Sequence, residues 1–230
     1  NLPTTFSCDL LTESKKHLAF LQALHQESTT NLSDPHAWDA LRRYRTLWLP
    51  MIAEEKSAAQ ENGEATASLS RMIPPADIAW MWHCQRLSPA NYEAHCLECF
   101  GFILDLAPTF SFQSQKSIGT LKDDESITAM EDQTRKVWNK RYAARDEPFF
   151  LPPVRDCKAS HAFKLQGFDL FASVKRQKTF LWQVSQPRFV QQQQQQQDEF
   201  LRQGVENYGK VLLLGAKSSL CHLLVPTPSS

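Results

Sequence analysis

Two short clusters in the middle of the chain carry the residue types that bind metals or act as nucleophiles. One is DIAWMWHCQRLSP, residues 77–89, and the other is HCLECF, residues 95–100. Imidazole nitrogen and thiolate sulfur are ligands that suit zinc, and a thiol beside a base suits nucleophilic catalysis. The candidate zinc ligands are His83, Cys84, His95, Cys96 and Cys99.

The spacing of these candidates nevertheless favours a buried role over a metal site. A structural zinc site usually takes ligand pairs from two tight turns, whereas His83 and Cys84 are neighbours that point in different directions on a helix. The same geometry disfavours a nucleophile–base pair formed by adjacent residues. Cys96 and Cys99 share a predicted helical stripe with Ile103, and free cysteine is common in protein cores. We therefore predict no cofactor, with zinc as the alternative.

A separate set of basic residues lies on predicted amphipathic helices and could contact RNA phosphates. The set is Lys15, Lys16, Arg42, Arg43, Lys175 and Arg176. Charge runs on such helices are usually solvated faces. The chain has 25 basic and 25 acidic residues, so its net charge provides no general attraction for polyanions. RNA binding is therefore an alternative to the main prediction.

The helix that carries the first cluster has recognisable ends. Pro75 is suited to a first helical turn, and an acid at Asp77 suits the positive end of the helix dipole. These residues predict a helix over 75–87. Ser88 as N-cap and Pro89 as first residue then predict the start of another helix.

A structural role for this helix is the simplest interpretation of its unusual composition. Asp77 is then an acid at the helix N-terminus, and His83 is a buried, hydrogen-bonded imidazole. Trp80 and Trp82 are core anchors whose indole N–H groups need acceptors.

The remaining segments also show helical spacing of apolar residues, and strand patterns are weak throughout. Pro50 predicts an interruption of a helix near Trp48. Polar composition predicts loops at 57–70 and 107–127, and the tract Gln191–Gln197 predicts a flexible insert between helices. The predicted fold is therefore mostly α.

An internal duplication of helix pairs is also predicted. Residues 9–21 align with residues 169–181 at a constant offset, and the next helices pair Tyr44 with Tyr208. The identities in the first alignment are Asp9/Asp169, Leu10/Leu170, Lys15/Lys175, Phe20/Phe180 and Leu21/Leu181.

The second copy of this duplication stops where its counterpart of DIAWMWHCQ should begin. The predicted organisation is therefore a first helical copy at 1–106, a polar linker at 107–131, and a second, truncated copy at 132–230 with the glutamine-rich insert.

Several motifs occur in a familiar order from Asp9 to Thr227. They include DL…KKHLAFL, ALRRYRTLWLP, IPPADIAWMWHCQRLSPANY and FLRQGVENYGKVLLL. With these motifs the chain resembles the glycine-rich domain-containing protein-like family of plants, fungi and other eukaryotes. The residues that match the family's first signature are Asp77, Trp80, Trp82, His83, Cys84, Leu87, Pro89 and Tyr92, whereas Gln85 replaces its second histidine. The resemblance implies a regulatory role in development or stress responses, with RNA association in some members and no established reaction.

The main prediction is thus a non-enzymatic regulatory or protein-interaction domain with an unidentified protein partner. A metal-dependent activity around His83 and an RNA-binding module are the alternatives. No apolar run is long enough to span a bilayer, and the six cysteines are expected to be reduced thiols. We therefore expect a cytoplasmic or nuclear protein without a membrane anchor.

Overall fold

The computed structural model of the 230-residue chain confirms that the fold is mostly α. It describes residue 6 and residues 8–26, 34–61, 72–104, 124–151, 168–186 and 194–217, and these ranges contain no β-strand. The helices are α1 (Leu10–Gln26), α2 (Asp34–Arg43), α3 (Leu49–Glu61), α4 (Ala76–Arg86), α5 (Pro89–Phe100), α6 (Asp124–Tyr142), α7 (Leu170–Val184) and α8 (Gln194–Lys217).

A π-helical turn, Tyr44–Trp48, joins α2 to α3 where Pro50 predicts an interruption. The N–H group of Leu49 donates to the carbonyl of Tyr44, five residues earlier, instead of following the usual four-residue spacing. Pro50 has no N–H group, and its ring would clash with the carbonyl four residues before it in a regular helix. The wider turn lets the helix continue past the proline.

The predicted ends of α4 and α5 are confirmed. Pro75 occupies the extended N-cap position of α4, and Ser88 is the N-cap of α5, with Pro89 as its first residue. Gly101 ends α5 in the left-handed conformation, with φ of +79°. Because α5 stops at Phe100, the predicted helical stripe does not extend to Ile103.

Three predicted loops are shorter than their polar composition suggested. Helix α3 runs to Glu61, α6 begins at Asp124, and α8 begins inside the glutamine tract at Gln194. Glutamine is a good helix former, so a tract of it extends a helix when a helix follows. The remaining parts of these predicted loops lie outside the described residues.

The chain divides into two compact units. One contains Asn1–Gln22 with Leu181–Ser230, and the other contains Ala23–Phe180. The boundaries at residues 106 and 131 stay a prediction. Among the described residues, no helix has the length and apolar character needed to cross a membrane.

The predicted duplication is not confirmed, although its first helices begin alike. Asp9 accepts hydrogen bonds from the N–H groups of Leu11 and Thr12, and Asp169 accepts one from the N–H group of Ala172. Both aspartates therefore cap a helix in the same way. The paired tyrosines differ, since Tyr44 is buried and Tyr208 is exposed.

Two glycine substitutions should have opposite effects on stability. Gly204 lies inside α8 with open space at the position that a Cβ would occupy, so Gly204→Ala should raise the free energy of unfolding by about 0.5–1 kcal/mol. Gly101→Ala also meets no steric contact, but its positive φ should lower stability by about 1–2 kcal/mol. Urea unfolding measures the change in the free energy of unfolding for both variants. Equal changes would contradict the prediction that the two substitutions have opposite effects.

Candidate functional site

The N-terminus of the signature helix α4 is joined to α2 by a buried ion pair. Arg43 Nε donates to Asp77 Oδ2 at 2.8 Å, and both side chains are almost completely excluded from solvent. Asp77 lies in the first turn of α4, where the helix dipole also favours a carboxylate. The acid predicted at this helix end is therefore also the partner of a buried cation.

The other nitrogens of Arg43 are satisfied by the chain that follows α6. Nη1 donates to the carbonyl of Pro148 at 2.6 Å, and Nη2 donates to the carbonyl of Phe149 at 2.5 Å. The guanidinium carbon also lies 5.2 Å from the ring centroid of Trp138. A planar guanidinium serves carboxylate, carbonyl and aromatic partners at once, which a lysine ammonium would do less well.

This burial corrects the prediction that Arg43 belongs to a solvated basic face. The sequence contains a signal for its position, because Arg43 lies three residues after Ala40 and four before Leu47, both of which are buried. A cation at an apolar helical position needs a buried partner. Asp77, within the apolar run from Met72 to Trp82, was the available acid.

The other predicted basic residues each have a partner within the described residues. Arg42 pairs with Asp39 and with Glu147, and Lys15 pairs with Asp198 at 2.7 Å. The remaining three have local contacts: Lys16 pairs with Glu13, Lys175 lies 4.7 Å from the ring centroid of Phe171, and Arg176 donates to Ser173.

The signature aromatic residues belong to a buried hydrogen-bond network. Trp82 Nε1 donates to the Tyr92 hydroxyl at 2.9 Å, and that hydroxyl donates to the carbonyl of Leu104. The acceptor predicted for the Trp82 indole is thus Tyr92, the last residue of the same signature. The network connects α4 to α5 and to the segment that follows α5.

Gln85, the predicted departure from the signature, has a structural partner of its own. Gln85 is buried, and its Oε1 accepts a hydrogen bond from the Tyr44 hydroxyl at 2.7 Å. Burial raises the pKa of Tyr44, so this hydroxyl is a stable donor. The amide therefore joins α4 to the π-helical turn.

The remaining signature residues lie at or near the surface of the signature helices. His83 is half-buried and stacks on the buried ring of Trp80, with centroids 5.6 Å apart. Leu87 and Pro89 are exposed at the turn between α4 and α5. Half-burial of His83 corrects the prediction that its imidazole is buried.

The candidate metal ligands differ in their exposure and in their contacts. Cys84 and Cys96 are buried, and burial raises the pKa of the Cys84 thiol far above its ordinary value. His95 and Cys99 lie on successive turns of α5, with Nδ1 and Sγ 3.6 Å apart. Within the described ranges, no three histidine, cysteine or acidic residues are arranged to hold a metal ion.

The His95–Cys99 contact is the arrangement that sequence reasoning missed. That reasoning considered adjacent His–Cys pairs, whereas residues four apart on a helix share a face. The four-residue spacing within HCLEC was the available signal.

Removing one member of the buried ion pair should be far more costly than removing an exposed lysine. Arg43→Met leaves Asp77 and two carbonyls without their partner, so we expect a loss of about 3–5 kcal/mol in the free energy of unfolding. Lys16→Met, whose side chain is 63% exposed and pairs with the exposed Glu13, should cost about 1 kcal/mol or less. Urea unfolding measures both, and similar losses would contradict the central role of Arg43.

The signature network predicts a specific cost for losing one hydroxyl. Tyr92→Phe keeps the ring but leaves the Trp82 N–H group and the Leu104 carbonyl unpaired, which should cost about 1–3 kcal/mol. Tyr208→Phe removes an exposed hydroxyl and should change stability by less than about 0.5 kcal/mol. If the Tyr92→Phe variant is as stable as the parent chain in thermal and urea unfolding, the network contributes nothing to stability.

Comparison with known proteins agrees with the resemblance in the motifs. The family model for glycine-rich domain-containing protein-like sequences matches residues 109–228. Glycine-rich domain-containing protein 1 of Arabidopsis thaliana is 29% identical over 96% of this chain, and glycine-rich domain-containing protein 2 is 30% identical over 90% of it. The chain spans 25% and 23% of the lengths of these relatives, respectively. No solved structure matches the chain. The chain belongs to the glycine-rich domain-containing protein-like family.

Proposed function

We propose that this chain is a non-enzymatic protein-interaction domain whose contact surface is one exposed face of α8. The supporting observation is an apolar stripe on that helix. Phe200, Val211 and Leu214 are 59%, 51% and 66% exposed, respectively. Large apolar side chains that are exposed together mark interaction surfaces more often than isolated ones do.

The stripe has the spacing of a helix–helix contact. Its residues, which we call the α8 seam, are Phe200, Gly204, Asn207, Val211 and Leu214. They follow one another at intervals of four, three, four and three, the spacing that keeps side chains facing a partner helix. All five are exposed. The seam therefore suits an amphipathic helix as its partner.

The opposite face of α8 is partly buried. Leu201, Val205, Leu212 and Leu213 are half-buried, and Gly209 is buried. At about 100° per residue, these positions lie roughly half a turn from the seam. Helix α8 thus has one partly buried face and a second face with exposed apolar residues.

The charges on α8 favour a protein partner over a polyanion. Exposed Glu199 and Glu206 are balanced by exposed Arg202 and Lys210, so these four residues carry no net charge. Binding to nucleic acid depends on positive charge that neutralises phosphates. Mixed charges beside an apolar seam are typical of helices that pair with other helices.

The buried signature supports a non-enzymatic role. Asp77, Gln85 and Tyr92 are the polar signature-region groups in the interior, and each has a partner inside the protein. Their hydrogen bonds hold elements together. A catalytic group instead needs an exposed path to substrate.

Photo-crosslinking from the seam tests the proposal. A photoreactive amino acid replaces Val211 in cells, and the same replacement at exposed Lys210 is the control because it lies on the same helix. The crosslinked protein is purified and titrated with this chain. Val211→Asp should weaken that complex by at least about tenfold, since it places a charge in an apolar contact.

The control variant Lys210→Asp should retain binding within about threefold, because rim charges contribute little affinity. Equal binding by the parent chain and Val211→Asp would overturn the proposal. A crosslink only to a second copy of this chain would assign the seam to self-association instead.

A further inference from the structure

Helix α5 places three reactive side chains within its last two turns. Cys99 is exposed, whereas His95 and Cys96 are buried. The 3.6 Å contact between His95 Nδ1 and Cys99 Sγ brings a base to an accessible thiol. Cys96 precedes Cys99 by three residues on the same helix, so the thiol has a second sulfur nearby.

The 3.6 Å contact pairs a protonated thiol with a neutral imidazole. Partial burial raises the pKa of Cys99, and Glu98 adds to that effect, so the group is a thiol at neutral pH. Burial lowers the pKa of His95, with Arg45 adding to the effect, so its imidazole is neutral and can accept a proton. Arg45 also interacts electrostatically with Cys99 in the direction that favours the thiolate.

The Cα separation of Cys96 and Cys99 suits a disulfide, whereas their Cβ atoms must move closer together for the bond to form. Residues three apart in an α-helix have Cα atoms about 5 Å apart. Disulfides accept Cα separations of about 4.4–6.8 Å, but their Cβ atoms must approach more closely than those of a regular helix. Cys99 lies in the last turn of α5, beside the Gly101 C-cap, where the helix can adjust.

We propose that Cys99 is an oxidation site for hydroperoxides and that Cys96 converts its oxidised form into a disulfide. The Cys99 sulfur attacks one peroxide oxygen, the O–O bond breaks, and His95 passes the thiol proton to the leaving oxygen. The products are a sulfenic acid at Cys99 and one water or alcohol. The Cys96 sulfur then attacks the sulfenic sulfur, forming the S–S bond and releasing one water. Two thiols lose two electrons in total, and the peroxide gains them.

The modification would reach the buried signature network. Cys96 lies one helical turn from Tyr92 on α5, and the Tyr92 hydroxyl bonds to Trp82 and to Leu104. A bond from Cys96 to Cys99 moves the Cys96 sulfur and therefore changes the surroundings of the Tyr92 hydroxyl. Oxidation at the surface of α5 would thus be transmitted to α4.

A peptide map of the purified full chain tests the proposal directly. Trypsin cleavage after Arg86 and Lys116 yields peptide 87–116, which contains Cys96 and Cys99 and no other cysteine. After brief treatment with hydrogen peroxide and alkylation of free thiols, this peptide should be two hydrogens lighter and unalkylated. Dithiothreitol should restore two alkylation sites. Exposed Cys8, in peptide 1–15, is the internal control and should oxidise more slowly.

Three variants separate the roles of the side chains. Cys96→Ser should stop the reaction at a sulfenic acid on Cys99 that a 1,3-dione reagent traps. His95→Asn should slow oxidation of Cys99 by about tenfold or more, as loss of a positioned base does. Cys84→Ser changes a buried thiol of the neighbouring helix and should leave the disulfide unchanged.

The parent chain alone can overturn the proposal, so the test does not depend on a variant that folds. Oxidation of Cys99 no faster than that of Cys8 would overturn it. Two other results would also overturn the proposal. One is an alkylated Cys96 together with an overoxidised Cys99, and the other is a disulfide from Cys99 to another chain. The readout is a covalent bond in α5 and is independent of any partner at the α8 seam.

Discussion

Burying the guanidinium of Arg43 obliges the surrounding chain to supply acceptors in fixed positions. Asp77 supplies one at the start of α4, and the carbonyls of Pro148 and Phe149 supply the others after α6. An unpaired charge in that position would cost several kcal/mol, which is a large fraction of the stability of a typical domain. The α6 region has further bonds to the same core, including Tyr142 to the Leu47 carbonyl. The relative placement of α2, α4 and α6 therefore depends on satisfying one cation.

The contacts of α4 explain its unusual residues. Asp77 pairs with Arg43, and Trp82 donates to Tyr92 across α4 and α5. Gln85 accepts a hydrogen bond from Tyr44. These residue types are needed because buried polar groups require partners of matching geometry. The unusual composition of this helix thus serves assembly of the core, and the proposed interaction and oxidation sites lie at exposed positions on α8 and α5.

The comparison of α1 with α7 separates local from tertiary information. Asp9 and Asp169 both cap the helices that follow them, because a cap depends only on the next three residues. The next helices of the predicted duplication pair Tyr44 with Tyr208, but Tyr44 is buried and Tyr208 is exposed. Burial depends on what surrounds a helix, and similar short motifs do not decide that.

Residues close in sequence determined the helical class, the ends of α4 and α5 and the interruption before Pro50. Capping, proline geometry and helical periodicity act over one or two turns, so they can be inferred from a single chain. Only the tertiary structure decided that Arg43 is buried, that Trp82 donates to Tyr92 and which face of α8 is exposed. From sequence alone, a run of charged residues is expected to be exposed to solvent. An apolar stripe on a helix does not by itself show which part of the protein packs against it. Those outcomes depend on contacts between distant segments, where burial and pairing of polar groups are decided together.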